Sequence, residues 1–391
     1  MRAFASRFAC RAAGRSYPEC VPGSQQHFLP QFHQRRFAIE PRNKKTRLWR
    51  LDMATGKPET VRPKDEAVIE NYYNVELEDG TVLDHADQVL TRFEGDAAPV
   101  IESIVKDRTW RPNPPDILAL LLYLVTLKTR TPRAREALRE TDRVMNGMLS
   151  EAMVSDRARW RKALGDSYDS EEELEEARLQ TLEELRSNKI IIDGGPAREV
   201  LMMVVSIEET ARTLFEQIGV MCFRLPEDER DCLVASDNPV AHYDPTPKSP
   251  QAGVSYMSSP NSITQLAIDP RVALIFHQGA AGRWQEIEMD RGELEEANLL
   301  TYAWANQAIY GPSQHAVTNV RRQAKRNRSM LHQFRYKPPR IWVSRGEKPA
   351  HGRVAEFTSV YKGQTTTQTF YVAPGAEDSA VWPPDDKRSS H

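Results

Sequence analysis

Five residues in this chain have the types that could do chemistry together: His27, Glu70, Arg130, Asp237 and Asn238. Two of them stand in a polar tetrad, Ser236-Asp237-Asn238-Pro239, directly after the apolar run Cys232-Leu233-Val234-Ala235. Such a run reads as a buried strand. Short polar groups at a strand end, stopped by a proline that cannot donate to a sheet, are a frequent setting for functional side chains. A histidine beside carboxylates can act as general acid or base or hold a divalent metal, and a nearby arginine can neutralise a phosphate or a developing oxyanion. Such a set would suit a phosphodiesterase or nuclease, with His27 as general base or metal ligand, Glu70 and Asp237 as metal ligands or orienting carboxylates, and Arg130 as phosphate clamp. The same residues have structural uses. His27 could cap a neighbouring element, Glu70 and Arg130 could form one buried ion pair, and Asp237 with Asn238 could close an Asx turn before Pro239.

Other signals are weaker. Val320 to Arg328 carries Arg321, Arg322, Lys325, Arg326 and Arg328, enough for a phosphate-backbone contact with nucleic acid if folded against a groove, or else a solvated helix face. His85, His242, His277 and His315 show no zinc-type spacing, and no nucleotide-binding loop or nucleophile elbow is present. A divalent metal is therefore the one cofactor the site could call for, held by residues that meet only in the fold.

Bulk properties narrow the class. With 391 residues, 40% apolar and 28% charged, the composition is that of a soluble globular protein of one large or two ordinary domains. The net charge of -2 gives no whole-protein argument for nucleic-acid binding. The longest strongly apolar stretch, Ile117 to Leu127, is too short to cross a bilayer and predicts a buried helix, so no membrane partner is expected. Cys10 and Cys20 fall in the leader, and Cys222 and Cys232 read as reduced thiols in two apolar runs that could be neighbouring strands.

The elements that must position these residues follow from pattern. Residues 26–37 predict a short amphipathic segment with a helix start and Pro30 in its first turn. Leu48 to Asp52 and Glu59 to Val61 flank a Gly-containing turn and predict a β-hairpin, and Glu70 to Glu76 a short strand and turn. Apolar residues three and four apart predict helices over 84–106, 115–128, 132–161, 170–189 and 196–218, the last closed by Gly219, and another over 293–307 before a strand at 308–310. Apolar runs at 220–225, 232–235, 263–268 and 272–276 predict strands of a mostly buried sheet. The Pro-, Ser- and Gly-rich stretch 243–261 predicts an irregular loop, either a lid over the tetrad or a surface excursion, and 354–361 with 365–372 a final hairpin.

The organisation expected is a leader or targeting segment over 1–24 and a single α+β domain over 25–345 with a helical middle at 84–218. A C-terminal β-hairpin over 346–373 and a disordered tail over 374–391 complete it. The fold class is α+β, with an N-terminal β-hairpin and central β-sheet packed against a multi-helix middle region. Arg2, Arg7, Arg11 and Arg15, with no acidic residue before Glu19, give the leader the look of a mitochondrial presequence, or else of an upstream extension; the location expected without it is cytoplasmic.

One resemblance emerges from the order of these features. His27-Phe28-Leu29-Pro30 followed by an aromatic and Phe37, the Trp49-centred hairpin, Glu70 with Tyr72 and Tyr73, Arg130-Thr131-Pro132, the Ser236 to Pro239 tetrad and Asn306 together resemble domain-of-unknown-function family 4238, over about residues 25–320. Where that family usually has Tyr-Leu after the proline, this chain has Phe32-His33. The resemblance implies no activity. The residues themselves lead to an intracellular hydrolase-like protein, with a non-enzymatic interaction or regulatory module, for example in stress or phage defence, as the alternative in which the same polar residues are structural.

Overall fold

The structure, a computed structural model, describes residues 25–76, 81–187, 189–192, 194–244, 261–278 and 282–334, with the strand backbones of 354–361 and 364–371. The leader over 1–24, most of the covering loop (245–260) and the tail from 374 lie outside the described residues. Strand β1 (Gln25–His27) is followed by helix α1 (Gln31–Arg36). The expected position of Pro30 inside that helix is corrected by one residue. Pro30 is the N-cap, with ψ 139° in the extended range, where its missing N–H costs nothing. Next come β2 (Leu48–Asp52) and β3 (Pro58–Val61), the expected hairpin, whose turn places Gly56 at φ 68°. Short strands β4 (Val68–Glu70), β5 (Val75–Glu76) and β6 (Val82–Leu83) complete this part, and β4 returns to pair with β1, His27 opposite Val68.

Six helices follow: α2 (His85–Lys106), α3 (Pro114–Thr129), α4 (Pro132–Ser155), α5 (Arg157–Leu164), α6 (Glu171–Arg186) and α7 (Gly195–Phe215). Helix α3 packs against both α2 and α7. Its lack of a polar face has that cause: Ile117, Leu120, Leu121, Leu124, Val125 and Leu127 are all buried. The single helix expected over 132–161 is broken. Asp156 leaves helical geometry, and its carboxylate accepts from Ala158 and Arg159 N–H, each at 3.1 Å, which caps a second helix. At the other end of the series, α7 stops at Phe215, because Ile218 and Gly219 pair with Gln278 and His277 in a sheet instead of extending and closing the helix.

The remaining elements are β7 (Ile218–Arg224), β8 (Ala235–Ser236), β9 (Val240–Tyr243), β10 (Ile263–Asp269), β11 (Val272–Gln278), β12 (Trp284–Glu288), α8 (Arg291–Trp304), β13 (Ala308–Gly311), α9 (Gln314–Arg326) and α10 (Arg328–Phe334). The final hairpin is β14 (Val354–Tyr361) against β15 (Gln364–Tyr371). A five-stranded sheet has the order β12-β7-β11-β10-β9, antiparallel except for β12 beside β7. A second sheet, β3-β2-β13-β8, joins the N-terminal hairpin to the end of the tetrad's strand. The fold is α+β.

Leu233, Val234 and Ala235 are buried and Cys232 partly so, but the run pairs as a strand only at Ala235–Ser236. Asn298 of α8 stands where a neighbouring strand would be: its Oδ1 accepts from Val234 N–H at 3.0 Å and its Nδ2 donates to the Cys232 carbonyl at 2.9 Å, while Leu233 N–H donates to the Pro270 carbonyl at 2.8 Å. Cys222 in β7 and Cys232 in the segment before β8 are free thiols, both pushed up by burial, to about 12 and about 11.

One large core runs from Leu29, Phe37 and Leu48 through α2, α3 and α7 to the five-stranded sheet. A small satellite of Val154, Leu182 and Leu185, with Trp160 and Ile192 against it, holds α4, α5 and α6 together away from that core. Leu121 is fully buried in the large core, so Leu121→Ala is expected to lower stability by about 2–5 kcal/mol, read as a shift of the urea midpoint at unchanged m-value.

Candidate functional site

Arg130, the C-cap of α3, is 2% exposed. Its Nε donates to the Phe28 carbonyl at 2.7 Å and its Nη2 to the His27 carbonyl at 2.5 Å, while Nη1 pairs with Glu94 of α2. The guanidinium therefore binds the main chain of the His27 segment, and its carboxylate partner is Glu94. Neither the Glu70–Arg130 ion pair nor an arginine open to phosphate is formed. Glu94 follows Leu90 by four residues and precedes Ala97 by three, so an acid on the apolar stripe of α2 was the sequence signal for it.

His27 is joined to Arg130 and Tyr73 through its carbonyl, which also accepts from the Tyr73 hydroxyl at 3.2 Å. Burial pushes its imidazole below the ordinary histidine range, and the Pro63 and Lys64 carbonyls pull the other way. Glu70, at the end of β4, is exposed at the rim of a recess of about 330 Å³ lined also by Tyr72, Pro132, Arg135, Arg139 and Pro196. Beneath it Arg135 and Arg139 both bind the buried Glu199, Arg139 through Nε at 2.5 Å and Arg135 through Nη2 at 3.2 Å. Glu199 sits directly before Val200 on the buried face of α7, again an acid among core positions.

Asp237 and Asn238 belong to the second sheet. Asp237 is 5% exposed, and its two carboxylate oxygens accept from Asn306 and Gln307 N–H, each at 2.8 Å, while its own N–H donates to the Ala308 carbonyl at 3.1 Å. Burial raises its pKa against the lowering pull of those N–H groups. Asn238 Nδ2 donates at 3.0 Å to the carbonyl of Trp304, the last residue of α8, one of the acceptors a helix end leaves without an intrahelical partner. Ser236 Oγ donates to the Asn238 carbonyl at 2.8 Å. The tetrad thus fastens the end of α8 to the start of β13. No hydrogen bond links Asp237 or Asn238 to His27, Glu70 or Arg130 among the described residues.

Glu66 lies between the two regions: its carbonyl accepts from Gln34 Nε2 at 3.1 Å, and its carboxylate accepts from Tyr310 Oη at 3.1 Å and forms an ion pair with Arg50, Nε at 3.3 Å. Sequence reasoning passed over this cluster, since Glu66 and Tyr310 lie 244 positions apart with no local pattern to join them. Among the described residues no group of three or more His, Cys, Asp or Glu side chains has the geometry to hold a metal ion. The five candidates therefore form two clasps and one exposed rim residue.

His33, where this chain departs from the Tyr-Leu pattern, is fully buried with Nδ1 3.1 Å from the Tyr123 hydroxyl. Burial, and then the charges of Arg36 and Arg130, bring its pKa down to about 3, and burial brings His242 down to about 3 as well.

Arg130→Met leaves Glu94 and the Phe28 carbonyl without this donor and the His27 carbonyl with the Tyr73 hydroxyl alone, and is expected to cost about 3–5 kcal/mol in urea unfolding, with Arg130→Lys recovering only part of it. Both buried histidines are neutral in the fold and ionise freely when unfolded, so the unfolded state binds more protons between pH 6.5 and about 3. Stability should hold above pH 6.5 and fall as pH drops through that window, less steeply in His33→Gln, as followed by urea midpoints at successive pH values.

No curated protein and no solved structure matches this chain. A match to a protein family covers residues 25–315, about three quarters of the 391 positions. That family carries the description "Protein of unknown function (DUF4238)", and the chain belongs to it.

Proposed function

We propose that this chain is a non-enzymatic interaction module of the cytoplasm that docks on the phosphate backbone of nucleic acid through α9. One observation carries the reading. Arg322, Lys325, Arg326 and Arg328 are all exposed, and among the described residues none of them pairs with a carboxylate. Arginines elsewhere on this surface commonly have one, as with Arg92 and Glu208 or Arg161 and Glu171. Positions 322, 325 and 326 share one helical face, while Ala316, Val317 and Val320 are buried against the second sheet and Ala324 against α8 and β9. Arg321 fixes the helix by donating from Nη1 to the Gly56 carbonyl at 2.7 Å, lying where a side chain at position 56 would start. The charge continues along the sequence: residues 321–348 hold ten Lys or Arg against the single Glu347. A row of exposed cations without carboxylate partners, three on α9 and Arg328 at the start of α10, is the footprint of a polyanion contact.

The hydrolase alternative would need His27, Glu70, Arg130 and Asp237 to act on one substrate. Arg130 and Asp237 are instead occupied by main-chain groups, which favours the module. No membrane-crossing helix of sufficient length and apolarity exists among the described residues.

Fluorescence anisotropy with labelled single-stranded and duplex DNA and RNA tests the reading. Binding should weaken with salt, and replacing all four cations by glutamine should cut affinity at least tenfold and flatten the log–log salt slope by about 0.7–0.9 for each phosphate that is no longer neutralised. Equal affinity for the fourfold variant, or tighter binding to anionic vesicles than to nucleic acid, would overturn it. Metal-dependent cleavage of the same oligonucleotides, abolished in a folded His27→Ala variant, would restore the hydrolase reading.

A further inference from the structure

Ser329 is exposed in the first turn of α10, and among the described residues its hydroxyl has no hydrogen-bond partner. Arg326 precedes it by three residues, Arg328 by one and Lys325 by four. All three are exposed, and none has a carboxylate partner among the described residues. Helix α9 ends at Asn327, which leaves helical geometry at φ −103° and ψ 50° and donates from Nδ2 to Glu295 of α8 at 2.6 Å. The serine therefore emerges just past the basic face. An arginine three residues before a serine or threonine occurs only twice in the sequence, at Arg326 with Ser329 and at Arg178 with Thr181. The second pair is closed off: Arg178 binds Glu175 at 2.7 Å, and Thr181 Oγ1 donates to the Ala177 carbonyl inside α6 at 2.7 Å.

We infer that Ser329 is a phosphorylation site for a protein kinase with an acidic substrate groove, and that its phosphate switches off the polyanion contact of α9. The switch rests on the docking reading above; the modification site does not. Carboxylates in such a groove pair with arginine forks on the substrate, and the forks of Arg326 and Arg328 have no carboxylate of their own to leave. With seven residues, α10 is too short to hold its first turn by helix hydrogen bonds alone, so that turn can enter the groove extended. Ser329 Oγ attacks the γ-phosphorus of a nucleoside triphosphate, its proton passes to the kinase's catalytic carboxylate, and the bond to the β-phosphate oxygen breaks as the diphosphate leaves. The product carries about 1.5 to 2 negative charges and three acceptor oxygens beside Lys325, Arg326 and Arg328. It cancels about half of the charge of the four exposed cations and offers them an anion on their own chain.

The test incubates the full chain with magnesium ATP and the catalytic subunit of cyclic-AMP-dependent protein kinase, which reads arginine ahead of its serine. Peptide mass spectrometry locates the phosphate, and anisotropy with the same labelled oligonucleotides reads binding. Ser329 should be the main site, Arg326→Gln should slow its modification at least tenfold, and Ser329→Ala should abolish it while binding as the parent does. Phosphorylation should weaken nucleic-acid binding at least tenfold, and phosphatase treatment should restore it. An unmodified Ser329, or an equal rate in Arg326→Gln, overturns the site. Unchanged affinity of the phosphorylated chain, where the fourfold glutamine variant has lost affinity, overturns the switch and leaves the docking reading standing. If the unmodified chain binds no oligonucleotide, the docking reading fails and takes the switch with it.

Discussion

The Arg130 guanidinium is the constraint on which the N-terminal third of the molecule depends. Three donors leave one buried cation in three directions, two to consecutive carbonyls of the entering chain and one to an acid on the next helix. A buried charge is tolerated only when its hydrogen-bonding capacity is satisfied, so the position of β1 against α2 and α3 is set as firmly as the charge itself. Gln26 and Gln34 repeat the device with neutral amides: Gln26 Oε1 accepts from Tyr73 N–H at 2.6 Å and Gln34 Nε2 donates to the Leu29 carbonyl at 2.8 Å. A strand of three residues could not hold its place through ladder hydrogen bonds alone. Because the clamp grips carbonyls, it reads the path of the chain at His27 and Phe28, not their side chains.

Asp237 and Asn238 solve the matching problem at the other end. A helix that stops at Trp304 and a strand that starts at Ala308 leave donors and acceptors between them with no regular partner. Two adjacent short polar side chains supply the missing groups in one tetrad. Residues chosen for their reactivity and residues chosen to satisfy a buried backbone look alike in sequence, since both must be short, polar and placed at an element's end.

That ambiguity explains what was legible. Helices α2, α3, α4, α7 and α8 were readable because their apolar spacing repeats over many turns, and the β2–β3 hairpin because its turn residues are local. The strand at 232–235 was misread because burial alone cannot tell a sheet neighbour from an asparagine standing in for one. The break at Asp156 was hidden by apolar residues that keep helical spacing across it. For the site, the residue types were found but their partners were not: Glu94, Gln307 and Trp304 lie 36, 70 and 66 positions from the residues they complete. Partnerships of that kind are made only by the tertiary fold.

The satellite core beneath α4, α5 and α6 has only three buried apolar residues, against the dozens that run continuously from Leu29 to Tyr310 in the main one. Two hydrophobic units of such unequal size cannot share one opening free energy. The helices over the small core can part from each other while the sheets and the clamp at Arg130 stay closed, so the molecule has a cheap local excursion built into its middle. Changes of sequence and length between 156 and 192 would then be filtered by a loose criterion, and changes around α3 by a strict one.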